Sequence, residues 1–111
     1  MTNTLSIDLE NPFKFEAGEK AHKAIMSFLR KRKLTNTGGC RAFYTPEEWK
    51  TMGETNGGGA VLIVVHDGGD LAPVFNPDYE SSLFGKMNAH LEKHSFYSVG
   101  LTSWATAIYA A

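Results

Sequence analysis

Residues 60–70 read Ala60-Val61-Leu62-Ile63-Val64-Val65-His66-Asp67-Gly68-Gly69-Asp70, and this stretch decides the fold. The first six are apolar and four of them are β-branched, which fits a strand rather than a helix at so short a length. Alternate residues of a strand point to opposite faces, so a run without polar alternation has two apolar faces. Both must be covered. The run then breaks into turn chemistry, with Asp67 able to bond its own backbone and Gly68 and Gly69 free to take positive φ.

Upstream, Asn56-Gly57-Gly58-Gly59 reads as a flexible loop. Before it, Thr45-Pro46-Glu47-Glu48 is a full helix-start signal, with a capping hydroxyl, a proline at the first helical position and a glutamate to close a capping box. The helix from Pro46 is expected to carry Trp49 and Met52 inward and to stop at Gly53. Residues 40–44 form a short strand candidate and residues 35–39 a loop. Across residues 18–33, Ala21, Ala24, Ile25, Phe28 and Leu29 recur at spacings of three and four, the pattern of an amphipathic helix. Leu5, Ile7 and Leu9 alternate with polar residues, which predicts a strand or extended arm within residues 1–17.

Downstream, Asn76-Pro77-Asp78 opens a second predicted helix over residues 77–93, with Tyr79, Leu83, Phe84, Met87 and Leu91 on its apolar arc. Gly85 within it costs about 1 kcal/mol relative to alanine. Residues 96–101 and 104–109 are β-like and make one long bent strand or a hairpin. The chain therefore reads as a single α+β domain over residues 1–111. It should hold a small mixed sheet of about four strands, packed by two longer helices and one short one.

Composition narrows the function classes. The 111 residues are 42% hydrophobic, with 7 Phe, 4 Tyr and 2 Trp, enough for an ordered core. Eleven Lys and Arg against twelve Asp and Glu leave a formal charge of −1, which disfavours nucleic acid as a partner. The single cysteine, Cys40, excludes an internal disulfide framework and a multi-cysteine zinc module. The N-terminal segment shows neither a basic n-region nor an apolar h-region, and no run approaches the ~18 residues of a membrane span. The expected location is cytoplasmic.

Among candidate sites, His66, Asp67, Gly68, Gly69 and Asp70 leave the end of a buried strand, where open sheets place ligands. Asp67 and Asp70 could hold a cation, or a carboxylate could orient His66 as a general base for hydrolysis; an ordinary Asp-Gly-Gly turn explains the same residues. His90 and His94 are spaced i, i+4, but the glutamate of the zincin pattern is displaced, and they read as part of the helix face. Cys40 after Gly38-Gly39 reads as a small buried residue rather than a nucleophile. The block Arg30-Lys31-Arg32-Lys33 suits a helix C-terminus and its macrodipole, with a phosphate-binding patch as the sharper reading. Neither a cofactor nor a metal is assigned. Trp104 and Tyr109, with Tyr97 and Phe75, give the second half an aromatic composition common at interfaces. The C-terminal strand is a candidate edge through which two copies could pair into a homodimer.

From Tyr44-Thr45-Pro46-Glu47-Glu48-Trp49, through Val64-Val65-His66-Asp67-Gly68-Gly69-Asp70-Leu71-Ala72-Pro73, to Ser103-Trp104-Ala105-Thr106-Ala107-Ile108-Tyr109, the chain resembles small uncharacterised accessory proteins of bacteriophages and prophages. The resemblance covers residues 40–109 and carries no catalytic residues. It implies a protein of the bacterial host's cytoplasm that binds and disables a host protein, such as a component of CRISPR or another defence system. The alternative is a small metal-dependent hydrolase centred on the His66–Asp70 turn.

Overall fold

The structure, a computed structural model, describes residues 16–39, 41–54, 57–79 and 81–111. The arm expected around Leu5, Ile7 and Leu9, and Cys40, lie outside the described residues. Among the described residues the elements follow in this order: α1 (Glu16–Lys31), β1 (Phe43–Tyr44), α2 (Pro46–Thr51), β2 (Leu62–Val65), a 3-10 turn (Gly69–Leu71), α3 (Ala72–Phe75), a further 3-10 turn (Pro77–Tyr79), α4 (Ser82–Lys93), β3 (Phe96–Thr102) and β4 (Ala105–Ala110). This is an α+β fold with a four-stranded sheet in the order β1-β2-β4-β3.

Every pairing in that sheet is antiparallel, which corrects the expectation of a mixed sheet. The reason lies in the tail: residues 96–110 fold as a tight hairpin, and β4 inserts between β2 and β3 with Leu62 opposite Ile108. The last strand is therefore interior, and among the described strands β3 is the edge, which corrects the placement of the C-terminal strand. The opposite edge, β1, is only two residues long.

Two cores sandwich the sheet. On one face Phe43, Leu62, Val64, Phe96 and Ile108 pack against Ile25, Phe28 and Leu29 of α1, Val74 and Phe75 of α3, and Met87 and Leu91 of α4. On the other, Trp49 of α2 fills the space left by the small side chains of Ala105 and Ala107, beside Ile63. β2 is thus covered on both faces, as its two-sided apolarity requires.

The α2 start forms as the sequence dictates. Thr45 Oγ1 accepts from Glu48 N–H, and Glu48 accepts from Thr45 N–H. The Glu48 carboxylate also takes a two-pronged bond from Arg41, at 2.7 and 2.9 Å. Burial by itself would raise the Glu48 pKa, but the Thr45 N–H and the Arg41 guanidinium together hold it below the usual carboxylate value. Two details differ from expectation. Met52 lies past the end of α2 and is exposed. The helix expected over residues 77–93 starts only at Ser82, capped by Ser81, while Tyr79 sits exposed on the preceding 3-10 turn.

Candidate functional sites: the His66–Asp70 turn and the β3 face

His66 continues β2 by one residue, its N–H bonded to Trp104 O at 2.8 Å. Alternation directs its ring to the helical side of the sheet, into the core. There it is 2% exposed, stacks on Phe75 with centroids 5.5 Å apart, and places Nε2 2.9 Å from Thr106 Oγ1. Removal from water disfavours the imidazolium and lowers the pKa to about 4, against smaller upward pulls from its own backbone and Asp67. A neutral buried ring bonded to a threonine fastens two strands together and does not face a solute.

The rest of the turn is bonded to the loop after α1. Asp70 N–H donates to Asn36 O at 2.7 Å, and Asn36 N–H donates to the Asp70 carboxylate at 3.1 Å. Gly69, at φ +68°, lies so close that a Cβ there would stand 2.4 Å from Asn36 O and 2.8 Å from Gly38 N. Only glycine fits. Of the three ionisable groups Asp67 alone is exposed, Asp70 being half-buried. Among the described residues no group of three His, Cys, Asp or Glu could hold a metal ion.

Trp104 sits in the β3–β4 turn at this same end, its ring 5.9 Å from Trp49. Tyr109 lies five residues along β4, about 17 Å away at strand rise. The fold therefore separates the two aromatic candidates. Tyr109 instead stacks on Tyr97, its cross-strand partner, with centroids 5.4 Å apart, and donates its hydroxyl to Gly58 O at 3.3 Å.

This second location is a surface. Tyr97, Val99 and Leu101 alternate onto the sheet face that Trp49 covers nearer β2, but α2 does not extend over β3. Tyr97 is 48% and Val99 42% exposed. β3 is seven residues long and, among the described strands, pairs only with β4, which leaves its other edge without a described strand partner. Sequence reasoning had Tyr97 among its aromatics but not Val99; the signal that could have found both is the Tyr97-Ser98-Val99-Gly100-Leu101 alternation.

His90 and His94 do lie together, rings 4.7 Å apart, but the Nε2–H of His90 is spent on Ala24 O at 2.7 Å, tying α4 to α1. Among the described residues no helix is long and apolar enough to cross a membrane. Comparison of the chain with protein-family models, with curated proteins and with solved structures finds no match in any of the three.

Proposed function

We propose that this is a phage-type accessory protein of the bacterial cytoplasm that acts by binding a host protein, as an inhibitor of a host defence system such as CRISPR would. The observation that carries the binding reading is the stacked Tyr97–Tyr109 pair with Val99 beside it, on a long edge strand with one unpaired side among the described residues. An exposed tyrosine stacked on a half-buried one, with an apolar neighbour, is the chemistry of an interface anchor, and an open edge adds main-chain hydrogen bonds to a partner strand. The resemblance to phage accessory proteins supplies the cellular setting. The hydrolase alternative has less support, because His66 is buried and Asp70 is engaged with Asn36.

The test is capture from host lysate by the intact protein and by a Tyr97→Ala/Val99→Lys variant. The reading expects one stoichiometric partner, held by the intact chain and lost by the variant while its thermal melt stays cooperative. Equal retention by the variant would place recognition elsewhere. Light scattering on the purified chain separates the remaining case: a dimer dissolved by Val99→Lys would make a second copy, not a host protein, the occupant of β3.

A further inference from the structure

Two sequence features left unused by that reading, the Arg30–Lys33 block and the His90–His94 pair, meet in space. The last turn of α1 and the C-terminal half of α4 border an open groove of about 520 Å³. From α4 and its C-cap come Lys86, His90, Lys93 and His94, spaced 0, 4, 7 and 8 along one face, with the small Ala89 between them. From the C-terminal end of α1 and the residue after it come Lys31 and Arg32, with Ser27 and Phe28 also lining the groove. Among the described residues no carboxylate lines it. A chain with formal charge −1 has thus gathered four permanent cations at one place, on the opposite side of the sheet from Tyr97.

Helix-dipole complementarity does not account for so much charge. The two helix C-termini here together amount to about one negative charge, and four cations exceed that by about three. Among the described residues Lys31, Lys86 and Lys93 have no carboxylate partner to absorb the excess. Part of the lining is also held in place. Arg32 lies over the Phe28 ring, 3.8 Å from its centroid, and bonds Phe28 O at 3.4 Å. His90 is fixed by its bond to Ala24 O.

We propose that this groove binds a compact anion carrying two or more adjacent phosphate groups, either inorganic oligophosphate or the phosphate tail of a nucleotide. Cations facing each other from two helices suit charge spread over several phosphates better than a single one, and the volume is that of a small-molecule site. The rings of the half-buried His90 and the exposed His94 give a nucleotide base something to stack on. A polynucleotide fits less well, because the neutral overall charge offers no extended positive track beyond this helix pair.

The test is titration at low ionic strength with tripolyphosphate, ATP and orthophosphate, followed by amide chemical shifts. Tripolyphosphate should bind one to one, shift residues 27–32 and 86–94, and bind at least about tenfold more tightly than orthophosphate. A Lys86→Gln/Lys93→Gln variant should weaken it by about tenfold or more with an unchanged melt, since both side chains are at the surface. Equal affinity for ATP and tripolyphosphate would make phosphate the recognised group; tighter ATP would add the base. Absence of these shifts, or equal binding by the variant, overturns the assignment. So does a short oligonucleotide that binds more tightly than tripolyphosphate and shifts Lys20 and Lys23 as well.

Discussion

The His66–Asp70 turn and the Tyr97–Tyr109 face lie at opposite ends of β4 and differ in what their polar groups are doing. In the turn, the chemically suggestive side chains are engaged: His66 with Thr106 and Phe75, Asp70 with Asn36, and Gly69 packed against the backbone of residues 36–38. On the β3 face, no residue has catalytic chemistry, yet Tyr97 and Val99 stand exposed beside a strand edge that has no partner among the described strands. Ionisable residues close together in sequence mark a structural fastening here. The availability for binding lies where the sequence is merely alternating and apolar.

Substitutions should separate the two regions by stability first. Gly69→Ala should be the most damaging, costing about 3 kcal/mol, because it combines left-handed strain with a clash against backbone that cannot move aside. Urea unfolding measures this directly. If the alanine variant is as stable as the parent, the turn is not packed against residues 36–38.

Acid provides the next largest effect. Folded His66 resists protonation down to about pH 4, whereas in the unfolded chain it protonates near 6.5. The unfolded state therefore binds the extra proton between those values. Stability from this group is complete above pH 6.5 and is lost as the pH falls toward 4, by on the order of 3 kcal/mol. A His66→Phe variant should lose less stability over the same window, and identical slopes for the two proteins would show that His66 is not buried neutral.

Asp70→Ala removes a charge-assisted bond to a backbone N–H and should cost about 1 kcal/mol, while Asp67→Ala should stay within about 0.5 kcal/mol. The contrast between neighbouring aspartates is sharper than either value. Smallest of all, Tyr97→Ala should cost only about 0.5 kcal/mol, the worth of one exposed stacked cross-strand pair. A loss of several kcal/mol there would mean that the face belongs to the core.

Much of this architecture was legible in the chain. The β2 run announced a doubly covered strand, Thr45-Pro46-Glu47-Glu48 announced α2 and its capping box, and the three-and-four spacing announced α1. Such signals are local, set by a few residues acting on their own backbone. Strand order and direction were not legible, because they depend on the hairpin of residues 96–110 turning β4 back against β2. Nor was the state of His66: it is neutral because it is buried, and the partners it meets there, Phe75 and Thr106, are nine and forty positions away. The basic groove escaped for the same reason, since half of it is contributed by each of two helices far apart in sequence.

The most direct test of the central claim, that the turn fastens the fold while the β3 face binds, is a crossed comparison of two double variants. Asp67→Ala/Asp70→Ala and Tyr97→Ala/Val99→Lys would each be measured for unfolding free energy and for retention of the captured partner. The account predicts that the aspartate variant is the less stable and keeps the partner, while the β3 variant stays folded and loses it. A partner lost with the aspartates and kept without Tyr97 and Val99 would contradict it.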